Sequence, residues 1–66
     1  MSVPTKGETF SQLIDHLRLA QEASAMLGHL SIANQEQKVG EAWLQVSELL
    51  KRTQKGVIDL ATRGLQ

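Results

Sequence analysis

Apolar residues recur at helical spacing over two long stretches of the chain. In the first, Phe10, Leu13, Leu17, Ala20, Ser24 and Leu27 form one stripe, and Leu19, Ala23, Met26 and Leu30 form a second. At about 100° per residue the stripes lie roughly 110–130° apart around a helix. Asp15, Arg18, Glu22 and His29 occupy the opposite side. One partner helix needs only one narrow stripe, whereas two stripes ask for at least two partners. In the second stretch Val39, Trp43, Val46, Leu50, Thr53, Val57 and Leu60 follow alternating steps of four and three residues. That is a heptad seam, sustained for about three heptads. Ala42 and Leu49 widen it on one flank and Ala61 on the other, while Glu41, Glu48, Lys51, Arg52, Lys55, Asp59 and Arg63 form the outer face. Glu48–Arg52 and Asp59–Arg63 stand in the favourable order for ion pairs worth about 0.2–0.5 kcal/mol each. The predicted fold class is all-α: an antiparallel two-helix hairpin that dimerises into a four-helix bundle.

Local signals place the ends of these helices. Residues 1–8 hold the one proline and no periodic apolar pattern, so they read as a flexible N-terminal arm ahead of a hairpin domain over 9–66. Thr9 and Gln12 have capping-box spacing, which predicts a first helix from about Phe10. Gly28 reads as its stop, since glycine tolerates the left-handed conformation at a helix C-terminus. Residues 29–33 become the link, Asn34 with Gln37 offers a second capping pair, and the second helix runs from about Gln35 to Arg63, ended by Gly64. Gly40 falls inside it, where it marks a close helix crossing, a late helix start or a tolerated glycine.

Composition sharpens the argument for assembly. A chain of 66 residues is one domain at most. A monomer of this size buries only about 60% of its unfolded surface. Such folds usually add disulfides, a metal or a partner chain. The sequence has no Cys and two His, so a partner chain is the remaining common device. Seven basic residues balance seven acidic ones, where a nucleic-acid binder shows a basic excess. Phe10 and Trp43 are the only aromatic residues, so platforms for stacking bases are nearly absent. No apolar run approaches the ~18 residues of a bilayer span. The N-terminal residues lack the apolar stretch of a signal peptide. The expected partners are therefore a second copy and another protein, with no nucleic acid and no membrane, in the cytoplasm.

No chemistry-bearing constellation stands out. His16 and His29 fall on different faces of the first helix with no carboxylate arranged beside both, so no metal site is predicted. Serines 11, 24, 31 and 47 lack a G-x-S-x-G context. Asp15 and Glu22 share a face with Arg18 between them, a solvated charge ladder rather than an acid–base pair. Two short helices would also struggle to enclose a substrate. The reading is of a protein that is not an enzyme and takes no cofactor. Lys51, Arg52 and Lys55 form the one basic cluster, flanked by Glu48 and Asp59. Trp43, in the middle of the seam, reads as a core anchor or an interface hot spot, which in a dimer of hairpins are the same thing.

The run Leu13-Ile14-Asp15-His16-Leu17-Arg18, a linker near residues 28–35, and Ala42-Trp43-Leu44 ahead of a long amphipathic helix carry a resemblance. Over about residues 10–63 the chain resembles the small helical-hairpin proteins coded by Pseudomonas phages, including the dimeric quorum-sensing anti-activator type. The resemblance implies a homodimer that binds and disables a host regulator. The tail from Gln54-Lys55-Gly56 to Arg63 is also similar to small helical phage proteins that sequester cyclic nucleotides, against which the zero net charge weighs. The expected function is a small regulator, an inhibitor, anti-activator or adaptor, binding another protein as a homodimer. The alternatives are a small-ligand or cyclic-nucleotide sponge and a structural or assembly subunit. Val39, Trp43, Val46, Leu50, Val57 and Leu60 are assigned to the dimer core, and Phe10, Leu13, Ile14 and Leu17 to the partner interface.

Overall fold

The computed structural model describes residues 3–64. Met1, Ser2, Leu65 and Gln66, at the ends of the assigned arm and hairpin domain, lie outside the described residues. Two helices of equal length, α1 (Lys6–Ala33) and α2 (Gln37–Gly64), pack against each other as a hairpin. The all-α reading holds.

The helix boundaries differ from those expected, each for a local reason. α1 begins at Lys6, within the segment assigned to the arm. Thr5, in extended backbone, caps it: its Oγ1 accepts the Glu8 amide at 3.1 Å. Thr9 is not the cap, because its hydroxyl donates back to the Thr5 carbonyl at 3.0 Å as an interior helical threonine does. At the other end Gly28 does not stop α1, which continues to Ala33. Gly28 keeps a negative φ, and the left-handed residue is Gln35, at φ 64°. Asn34 ends α1 instead of starting α2. The Glu36 amide donates to the Ser31 carbonyl at 2.8 Å and the Gln35 amide to the Ile32 carbonyl at 3.0 Å. This pair of bonds is the Schellman arrangement, with glutamine where glycine is usual. The Glu36 carbonyl then accepts from Gly40 at 2.9 Å and opens α2. Gln35→Gly should remove the left-handed strain of a residue with a Cβ and raise the unfolding free energy by about 1 kcal/mol. Urea denaturation at fixed protein concentration measures it, and an unchanged or lowered midpoint would contradict this account of the turn.

The innermost positions between the helices are small and polar residues, with larger apolar side chains such as Ile14, Leu17, Ile32 and Leu44 half-buried beside them. Ser24 and Gly28 on α1 and Gly40 and Ser47 on α2 are buried. The glycines let the two backbones touch: a Cβ placed on Gly40 would lie 2.7 Å from the Gly28 carbonyl oxygen, and one on Gly28 would lie 3.0 Å from that of Gly40. Of the three readings of Gly40, the close crossing is the one realised. Above this crossing the Ser24 hydroxyl donates to the Trp43 carbonyl at 2.7 Å and the Ser47 hydroxyl to the Gln21 carbonyl at 3.1 Å. Further on, the Gln54 amide donates to Gln21 Oε1 at 2.7 Å. These bonds add specific partners to the pairing of the helices.

What the hairpin lacks is an apolar interior. Among the described residues no hydrophobic side chain is buried. The Cα atoms occupy a slab 47 × 28 × 9 Å, one helix layer thick. Domains are ordinarily built of at least two packed layers around a core.

Candidate interaction surface

The heptad seam of α2 is not the side that meets α1. The row facing α1 is Gly40, Ser47, Gln54 and Ala61, buried or half-buried. Each stands one residue after a seam member: Val39, Val46, Thr53 and Leu60. The same offset appears on α1, where Ile14, Gln21 and Gly28 turn inward and Leu13, Ala20 and Leu27 remain exposed. Stepping back one residue rotates a side chain by about 100°. In antiparallel helices that step turns both rows toward the same side of the slab. The hairpin therefore has an apolar face and a mainly polar one, on which Ile58, 48% exposed, is the large apolar exception.

The apolar face carries Leu13, Ala20, Ala23, Leu27 and Leu30 from α1, and Val39, Trp43, Val46 and Leu60 from α2. Leu50 and Val57 are half-buried in the crease between the helices on that side. Leu30 is 53% exposed, Val39 47% and Trp43 38%. Between residues 9 and 30, and again between 39 and 60, these rows hold no Asp, Glu, Lys or Arg. Their polar members are largely satisfied within their own helices. The Thr53 hydroxyl donates to the Leu49 carbonyl at 2.9 Å, and His16 Nδ1 is hydrogen-bonded to the Gln12 carbonyl. On the other side stand Asp15, Arg18, Glu22 and His29 from α1, and Glu41, Gln45, Glu48, Arg52 and Lys55 from α2. Leu19, Met26 and Leu49 lie on the outer edges of the slab, contiguous with the apolar face.

The residues assigned to the dimer core thus share one face, with Val39, Trp43, Val46 and Leu60 open and Leu50 and Val57 in the crease. The residues assigned to the partner interface do not form one free surface. Phe10, Ile14 and Leu17 are half-buried against α2, and Leu13 alone turns to the apolar face. The seam residues Ser24, Gly28, Ser47 and Gln54 were not expected as a group.

Electrostatically the polar side is a loose mixture. Arg18 Nη2 lies 2.7 Å from Asp15 Oδ1, with both side chains well exposed. The expected pairs Glu48–Arg52 and Asp59–Arg63 are not closed. Such surface pairs contribute only about 0–1 kcal/mol, too little to hold long side chains in one geometry. Lys51, Arg52 and Lys55 are exposed and form no ion pair among the described residues. No three His, Cys, Asp or Glu side chains converge among the described residues. No helix among them is long and apolar enough to cross a membrane. The fold and its surface define an amphipathic helical hairpin. No protein family, curated protein or solved structure matches the chain.

Proposed function

We propose that the protein is a small protein-binding regulator, an inhibitor, anti-activator or adaptor, which works as a homodimer in the cytoplasm and acts by occupying a surface of another protein. The observation that carries this reading is the absence of any buried hydrophobic side chain among the described residues, while Leu19, Met26, Leu49 and Leu60 are each more than half exposed. Large apolar side chains in water are ordinarily covered in the working state, and contiguous exposed patches mark surfaces for other macromolecules. Helix faces docking into apolar grooves are a common recognition mode. The surface hollows, such as the one lined by Leu44, Gln45, Glu48, Leu49 and Arg52, are open clefts, which suits a protein surface better than a small molecule.

A second reading, an anionic-ligand or cyclic-nucleotide sponge, has one specific observation in its favour. Lys51, Arg52 and Lys55 offer three unpaired cations within little more than a turn of α2. One experiment separates the two. The tagged full chain is captured from a lysate of the cells in which it is made, and both the protein and the nucleotide fractions are analysed by mass spectrometry. A protein retained in stoichiometric amount, and kept when Lys51, Arg52 and Lys55 are reversed to Glu, supports the regulator. A nucleotide released by that reversal, with no protein retained, overturns it in favour of the sponge.

A further inference from the structure

We propose that the uncharged face of the hairpin is the contact with a second copy of this chain, two slabs stacking face to face so that their large side chains form the core that neither has alone. This rests on the reading above that the protein acts as a homodimer, and adds which surface closes and what chemistry closes it.

Area supports this first. The chain exposes 5468 Å². A compact monomer of 7.3 kDa would expose about 4,200 Å². The excess of about 1,300 Å² is more than the roughly 800 Å² per partner of a standard interface and falls in the range of obligate dimers. It measures how far a single layer falls short of a compact fold, and covering one face of the 47 × 28 Å slab would remove area of that order.

Chemistry then selects the occupant. The face holds no carboxylate, ammonium or guanidinium between residues 9 and 30 or between 39 and 60, so two copies can meet without desolvating a charge. A lipid surface is the competing occupant. A helix lying on a bilayer is normally flanked by Lys and Arg. Here the one basic cluster, Lys51, Arg52 and Lys55, is confined to a little over one turn of α2, Asp15, Glu22, Glu41 and Glu48 share the polar side with it, and the net charge is zero.

The packing divides labour accordingly. Within the hairpin Gly28 meets Gly40, and serine hydroxyls bond to backbone carbonyls. Between hairpins Leu27, Trp43, Val46 and Leu60 remain to interlock. Small residues set the close contact inside a copy, and large ones fill the wider space between copies.

The test is sedimentation equilibrium of the full chain at about 1–100 µM, with thermal melts followed by circular dichroism. Twice the monomer mass is expected, with a melting temperature that rises with protein concentration. Val46→Glu, which places a charge on the face, should weaken association at least about 100-fold. Gln45→Glu, one position away on the charged side, should leave the mass unchanged. Because loss of its partner can also unfold Val46→Glu, single cysteines supply a second measurement in a chain that has none of its own. Ala20→Cys, at mid-length of α1 on that face, should cross-link copies with a short bismaleimide whichever way the second copy runs, and Glu22→Cys should not. A helical wild type at monomer mass overturns the proposal, as does cross-linking through Glu22→Cys alone, or a monomer that sediments with anionic vesicles. A monomer that still captures a protein partner would sink this inference and the homodimer in the reading above while leaving the protein-binding role standing, and a dimer that captures none would do the reverse.

Discussion

Gly40→Ala will lower the stability of the protein by about 2 kcal/mol, although alanine is the better helix former. In an open helical position the exchange gains up to about 1 kcal/mol. At residue 40 the new Cβ would lie 2.5 Å from Ile32 Cγ1 and 2.7 Å from the Gly28 carbonyl oxygen. Ile32 can turn away, but a backbone oxygen moves only if the helices separate, and overpacking of this kind costs about 1–3 kcal/mol and at times more. Separation would also lengthen the Ser24 and Ser47 bonds that cross the seam at 2.7 and 3.1 Å. Gly28→Ala should cost less, since its closest obstacles are the Leu44 side-chain atoms at 2.7 and 2.8 Å, with the Gly40 oxygen at 3.0 Å. Gly56 supplies the internal comparison. Nothing stands within 4 Å of its Cβ position, so Gly56→Ala should stabilise by about 0.5–1 kcal/mol. Urea denaturation of the three variants at one protein concentration gives the order. If Gly40→Ala were as stable as the wild type, the helices would not cross where the two glycines meet.

The contrast between these glycines also shows where the sequence is legible. The helical hairpin could be read from two periodic stretches, and the apolar face of α2 from its heptad steps. The side of α2 that meets α1 could not, because apolar periodicity marks where most surface is to be buried, whatever covers it. Here Val39, Val46 and Thr53, with Trp43 and Leu60, mark the open face, while the hairpin closes on Gly40, Ser47 and Gln54, one residue after the first three. The turn was misplaced because Gly28 suits either a helix end or a close crossing, and the left-handed position fell to Gln35, which carries no such signal. One clue was present. Gly28 and Gly40 stand six residues either side of Asn34, as residues that face each other across an antiparallel hairpin must. The partner surface was the least legible part: Phe10, Ile14 and Leu17 have the spacing of an exposed stripe, and only the rotation of α1 against α2 turns them inward while leaving Leu13 out.

Trp43→Ala should produce the largest loss, about 3–5 kcal/mol per protomer, the range for a large aromatic side chain removed from a fully packed site. In the hairpin alone Trp43 is 38% exposed, so its full weight depends on a second copy covering the rest of the ring. The substitution isolates the side chain, because the link from this residue to α1 runs through its carbonyl, which accepts the Ser24 hydroxyl at 2.7 Å and is kept in alanine. The loss should therefore fall on association: the variant melts at lower temperature, and its dimer dissociates at higher concentration than the wild type. Trp43 is the only tryptophan, so the wild-type protein reports on itself. Its fluorescence should lie at shorter wavelength when concentrated and move to longer wavelength on dilution, over the same range in which sedimentation shows the mass falling. A Trp43→Ala protein with unchanged melting, together with emission that does not respond to dilution, would make Trp43 a surface residue and leave the apolar face without a second copy against it.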